Sequence, residues 1–491
     1  MHELNLPRLA LDALDQMDAD VRPPVDPRSL RPRVLHFGLG AFHRAHQAVY
    51  TENANAQTGE QWGIVDVAPS TARAAVALRQ QDCLYSVTDR EPRGFRTRVV
   101  GSVVDALFLP EATDQIQHLF ASPELSTVTL TITEKGYYRR PDSGRLDQAA
   151  APIAADLAAT ATDESALLTV LGQIALGLRT RFRLTEAPID IVCCDNMANN
   201  GAILAGVVAD FVEASGWPDK DALLEWMTHS VSFPATIVDR IVPATTDADR
   251  DAASVAIGFR DEMAVVGEPY RQWVLQDTFG APRPQWERDG ALFVPDVAPY
   301  QLMKLRLLNG AHSAIAYLGL AAGCTTVADV MRTAWGADLV RAFGREVAPT
   351  LPEAGLDPAA YVEALVERFA NPSMNHLLRQ IGSDGSLKLP ERWLDTLREL
   401  RAAGQVTPVL ETALAAWVQA TRPSADGAQQ FGTTDPAAGA LAQCWVGPAA
   451  ATQRVSALLR VLGAADLADS ADLTDAVAQR LDSVANGRVE L

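Results

Sequence analysis

The 491-residue chain is long enough for two or three domains, and its 48% apolar and 21% charged residues are the balance of an ordinary globular protein. A formal net charge of −19 argues against nucleic acid or anionic membrane as a partner, because both would be repelled. Five scattered cysteines without a C-x-x-C, a mixed acidic N-terminus and no apolar run near the ~18 residues of a membrane span point to a cytoplasmic protein without disulfides, a secretory leader or a metal site.

A short helix and a proline-rich lead-in, RPPVDPRSLRPR, precede the first strand, turn and helix in RVLHFGLGAFHRAHQAVYTENA. WGIVDVAPS reads as a second strand, with Ser70 placed to cap a helix through TARAAVALRQQ. STVTLTIT (126–133) and IDIVCCD (189–195) are further β-branched runs, with helical patterns at 151–160 and 164–182 between them. Strands alternating with helices predict a doubly wound, largely parallel α/β sheet of the Rossmann type over residues 1–290, N-terminal extension included. The turn-rich TFGAPRPQWERDG marks its end. Residues 291–491 read as an all-helical domain, with helices at 299–320, 325–346, 358–370, 373–380, 391–403, 408–420 and 450–482 and a surface loop at 422–440.

The turn after the first strand gives Gly38-x-Gly40, with His43 where a third glycine would complete G-x-G-x-x-G. Two glycines suffice for a tight turn and for close backbone approach to a pyrophosphate, so Gly38, Leu39, Gly40, Ala41, Phe42 and His43 are the candidate cofactor-binding stretch. His43 implies a wider helix–strand gap or a modified loop. Asp66, taken to end the second strand, would accept a hydrogen bond from an adenosine ribose hydroxyl and repel a 2′-phosphate, which favours NAD over NADP.

KLRLLNGAHS (304–313) sets polar residues in an apolar helix. If Pro299 opens that helix, about 100° per residue places Lys304, Asn309 and His312 within an arc of about 140°, able to line a cleft. Arg306 points elsewhere, as an ion-pair partner or surface group. Glu134 and Lys135 lie just past one strand and Asp195 and Asn196 just past another, where ligands gather in doubly wound sheets. Asp239 beside Arg240 suggests a buried carboxylate with a partner at hand.

These segments together resemble the mannitol dehydrogenase family of long-chain, metal-independent polyol dehydrogenases. The resemblance is carried by GxGAFHRAHQ, TEKGY, CDN, FPxTxVDRIVPAT, GEPYRQWV, KLRLLNGxHS and RFANPSxxHxxxQIxxDGSxKLPER, over about residues 31–393. It implies Lys304 as general base, Asn196 and Asn309 as the amide pair on the alkoxide oxygen, and His312 as a substrate-hydroxyl ligand. It also implies Asp239 as an active-site acid and Glu134 as a residue linked to proton passage. A lysine base near pKa 10.4 needs about 3 kcal/mol of differential destabilisation to reach about 8, and two amide donors on a developing alkoxide suit the same chemistry.

The family's substrates include neutral polyols and sugar acids. TEKGY and DGSxKLPER lean toward D-mannonate, with Lys135, Arg379 and Lys388 as candidate carboxylate partners and His376 nearby. Mannitol or another neutral polyol is the alternative. A non-catalytic sensor of NAD or sugar is a further one, although a sensor has no need of a proton acceptor. The oligomeric state stays open, a monomer included.

Overall fold

The computed structural model describes residues 6–425 and 427–489. The chain forms two compact units, Met1–Val297 and Ala298–Leu491. Among the described residues no helix is long and apolar enough to cross a membrane.

Among the described residues the first unit holds twelve strands: β1 Arg31–Phe37, β2 Trp62–Ala68, β3 Tyr85–Glu91, β4 Gly94–Val100, β5 Val103–Phe108, β6 Thr127–Leu130, β7 Ile189–Cys193, β8 Val231–Ser232, β9 Thr236–Asp239, β10 Val265–Gly267, β11 Gln272–Gln276 and β12 Leu292–Val294. Six of them pair in the order β5-β2-β1-β6-β7-β8, every pairing parallel. Counted along the chain this is the 3-2-1-4-5-6 order of a Rossmann sheet, with its switch point between β1 and β6. Every residue of β2, β6 and β7 is buried, as a sheet covered by helices on both faces requires.

Alternation along the strands divides the core. Leu35, Phe37, Val65 and Val67 face one helical layer with Phe120, Ile174 and Phe211. Val34, Ile64 and Ala68 face the other, with Ala48 and Leu78. His36 and Asp66, direct cross-strand partners, share this second face.

The sequence reading finds β1, β2, β6 and β7 but not β5, β8 or the two small sheets β10-β3-β4 and β12-β11-β9. The β3–β4 hairpin is interrupted by charge, and β8, β10 and β12 are two or three residues long, too short to show a period.

The second unit is helical, around a core that includes Ile315, Leu318, Phe343, Leu397, Leu410 and Trp417. Several predicted helices prove to be composite. The 325–346 segment splits into Val327–Met331, opened by a Thr326/Asp329 capping box, and Gly336–Val347. The 450–482 segment becomes Ala451–Val461, Ala465–Ala468 and Ala471–Ala485. The expected loop at 422–440 runs into a short helix, Ala438–Gln443. Arg306 is an ion-pair partner, donating to Glu399 through both terminal nitrogens (2.7 and 2.5 Å) and to the Thr350 carbonyl (2.7 Å).

A Cβ on Gly336 would stand 2.1 Å from the Val330 carbonyl oxygen, so the chain can reverse there only with glycine. Gly336→Ala should lower the stability of the helical unit by about 1–3 kcal/mol, read as a lower denaturant midpoint.

Candidate active site

β1 ends in the glycine turn. Gly38 donates to the Val67 carbonyl (2.9 Å) and adopts φ +120°, and a Cβ there would meet the Thr131 carbonyl oxygen at 2.1 Å. Only glycine fits between the diverging ends of β1 and β6. The Gly40 N–H folds back onto the Gly38 carbonyl (2.6 Å), and a Cβ on Gly40 would find nothing nearer than 3.7 Å. Gly40 is exposed and Ala41 and Phe42 half-buried, whereas Leu39 turns into the core. The strand order, the obligatory glycine and the open backbone at Gly40 fit a dinucleotide at the switch point.

His43 and Asp66 are not on that surface, which corrects the expectation that they touch the cofactor. Asp66 lies inside β2 rather than at its end, and both side chains are wholly buried. The His43 Nε2 stands 2.9 Å from Asp66 Oδ1, and its ring stacks on His36 with centroids 3.4 Å apart. His36 is pinned by Thr129 Oγ1 (2.7 Å), Thr131 Oγ1 (2.9 Å) and the Gly38 carbonyl (3.0 Å). The place of the third glycine is thus taken by an imidazole pair beneath the turn. Burial pushes the Asp66 carboxyl up to about 7 and the His43 imidazole down to about 3, disfavouring charge on both, and at 2.9 Å the two are in close contact without a hydrogen bond of regular geometry. Ser70 does not cap the next helix either. Thr71 holds that position, without a side-chain bond.

Beyond β6, Glu134 and Lys135 lie exposed on the turn Glu134–Tyr137. The Asp195 carboxylate accepts from the Ile132 and Thr133 N–H groups (3.0 and 2.9 Å) and from the Tyr137 hydroxyl (2.6 Å), tying the ends of β6 and β7 together. That leaves Asn196 exposed just past the knot. Asn200, which the sequence reading passed over, bridges to β9 through the Thr236 carbonyl and N–H (both 2.9 Å). Asp239 is buried at the end of β9. Its neighbour Arg240 bonds Asp89, the Ala45 carbonyl and the Glu268 carbonyl (3.0 Å). Its salt-bridge partner is therefore Asp89.

In the helical unit, the helix expected over 299–320 is Ala298–Met303, a π-helical segment Lys304–Asn309, and Gly310–Ala321. The Gly310 N–H bonds the Leu305 carbonyl, five residues back. The widened turn brings Lys304 and Asn309 nearer to one side of the helix than α-helical spacing, which would set them about 140° apart. Lys304 and His312 are buried and Asn309 half-buried.

His312 packs on Phe369 (4.4 Å) and edge-on to His376 (5.3 Å). Arg392 donates to the Asn309 carbonyl (3.3 Å) and Ser313 Oγ (3.0 Å), and Trp393 Nε1 donates to the Gly310 carbonyl (3.0 Å). These two belong to a second π segment, Pro390–Leu394, and the sequence reading gives neither a role, although Arg392 closes its KLPER motif and Trp393 follows directly.

Two expected carboxylate partners are otherwise placed. The Lys388 Nζ donates to the Ser383 (2.7 Å) and Ile381 (3.4 Å) carbonyls, closing the end of helix Leu378–Gly382, and Arg379 is exposed against Gly432. Because the Asp66 carboxyl is wholly buried inside the sheet, Asp66→Ala should leave the ratio of KM values for NAD and NADP unchanged, read by steady-state kinetics with each coenzyme.

Comparison with known proteins agrees with this geometry. The mannitol dehydrogenase Rossmann-domain family model matches residues 32–288, and the mannitol dehydrogenase C-terminal-domain model matches residues 296–485. D-mannonate oxidoreductase of Escherichia coli K12 is 37% identical over 93% of this chain and 94% of its own. The ternary complex of Pseudomonas fluorescens mannitol 2-dehydrogenase with NAD and D-mannitol superposes with a TM-score of 0.75 at 33% identity, covering 97% of this chain and 96% of that one. Substrate-free D-sorbitol dehydrogenase gives a TM-score of 0.87 at 25% identity, over 98% of this chain and 100% of that one. With both family models matched in order along nearly its whole length, the chain belongs to the mannitol dehydrogenase family.

Proposed function

We propose that the protein, an NAD-dependent oxidoreductase of this family, interconverts D-mannonate and D-fructuronate. The observation that carries the reading is the π segment Lys304–Asn309, which holds a buried lysine and a half-buried asparagine in one widened turn, three residues before the buried His312. The near full-length similarity to D-mannonate oxidoreductase supports the acid substrate.

Gly38 to Phe42 bring backbone against the pyrophosphate. When bound, NAD accepts the hydride that leaves the carbinol carbon. Lys304 takes the hydroxyl proton on Nζ, so a C–H and an O–H bond break as the C=O bond forms. Asn309 and Asn196 donate amide N–H groups to the oxygen as it gains charge, which preorganised donors stabilise by about 3–4 kcal/mol. His312 and His376 meet substrate hydroxyls, Asp239 serves as the acid, Glu134 assists passage of the released proton, and the exposed Lys135 offers a cation to an acid substrate. The superposition with a mannitol 2-dehydrogenase favours a second reading, oxidation of mannitol or another neutral polyol by the same residues.

Lys304→Ala should lower kcat by about 10²–10⁴-fold with NAD affinity close to unmodified, measured by steady-state rates and by titration of the coenzyme. A panel of ketoses should show NADH oxidation with fructuronate and not with fructose. The reverse pattern would select the polyol reading.

A further inference from the structure

We propose that Arg392 is the specificity residue that selects an anionic substrate, its guanidinium pairing with the substrate carboxylate beside His312. The inference rests on the sugar-acid reading above and gives it a residue that neither the motifs nor the comparisons assign.

Buried guanidinium groups are ordinarily paired, because an uncompensated charge away from water is costly. In the helical unit Arg306 pairs with Glu399 and Arg480 with Glu411 (2.9 Å). Arg392 is half-buried, and among the described residues no carboxylate pairs with it. Its neighbour in sequence, Glu391, is exposed and gives only a longer-range attraction. One terminal nitrogen is spent on the Asn309 carbonyl and Ser313 Oγ, both neutral acceptors. A planar fork with donors to spare and no counter-ion suits a carboxylate, which it can engage in two parallel bonds.

The second observation is His312, 8% exposed, whose Nε2 has no hydrogen-bond partner. A buried ring nitrogen without a partner marks a place where a ligand atom belongs. Burial, then His376, Arg368 and Arg392, disfavour protonation of that ring. A guanidinium without a carboxylate beside that open ring nitrogen suits an anion better than a neutral polyol. Arg392 also bonds the backbone of Asn309, so carboxylate recognition and placement of the amide share one side chain.

The test is calorimetric binding of D-mannonate and of D-mannitol to the full-length protein saturated with NAD. The unmodified protein should bind D-mannonate at least about tenfold more tightly, and Arg392→Met should lower the mannonate-to-mannitol affinity ratio at least about tenfold, as expected for one charge-assisted pair. Equal affinity of the unmodified protein for the two ligands, binding of neither, or a smaller fall of the ratio in Arg392→Met would overturn the assignment. The first comparison needs no variant and stands if Arg392→Met does not fold. Absence of hydride transfer, read from nicotinamide absorbance, would count against the proposed reaction and leave the binding result untouched.

Discussion

The helical unit turns on a change of hydrogen-bond register across Lys304–Asn309. A regular α-helix through this stretch would aim Lys304 and Asn309 in different directions, and each would need its own partners. The i→i+5 segment turns them toward one side, at the cost of a wider turn. The surrounding structure holds that turn open. Arg392 and Trp393 bond the carbonyls of Asn309 and Gly310, and the Phe343 ring lies 2.9 Å from where a Gly310 Cβ would stand, so the turn is clamped from two sides.

A comparable bargain underlies the dinucleotide turn of the first unit. Gly38 can exist only as glycine because the Thr131 carbonyl crowds it, and the same carbonyl edge carries the threonines that pin His36. His43 then stacks on His36 and meets Asp66, so the helix after the turn rests on imidazole where a standard fingerprint would bring it closer with glycine. Of the polar residues in the middle of these two buried strands, His36 is held by Thr129, Thr131 and the Gly38 carbonyl, while Asp66 meets His43 in close contact.

Much of this was legible in the sequence for particular reasons. The β-branched runs of β1, β2, β6 and β7 and the glycines after β1 announced a parallel sheet with a cofactor turn, because burial on both faces leaves no ambiguity in such strands. The motif around Lys304 stood out because charge in an apolar helix needs a reason. What was hidden depends on three-dimensional pairing. Asp66 looked like a ribose ligand because sequence gives a residue's place on a strand but not which way its carboxylate faces or that His43 waits for it. The π segment was invisible because a period read at 3.6 residues per turn cannot register a single widened turn. Arg392 escaped notice because its distinction, the lack of a carboxylate, appears only when every neighbour is known.

The widened turn has a consequence for the length of the chain. A π segment of this kind is equivalent to one surplus residue slipped into an α-helix. Every side chain downstream, His312 included, owes its azimuth to the widening that absorbs that surplus. Excising a single residue between Leu305 and Leu308 would leave Lys304 and Asn309 four positions apart, about 40° around a smooth α-helix, so the pair would stay on one side as the turn closed. Closing the turn without shortening the chain would instead part them by about 140°.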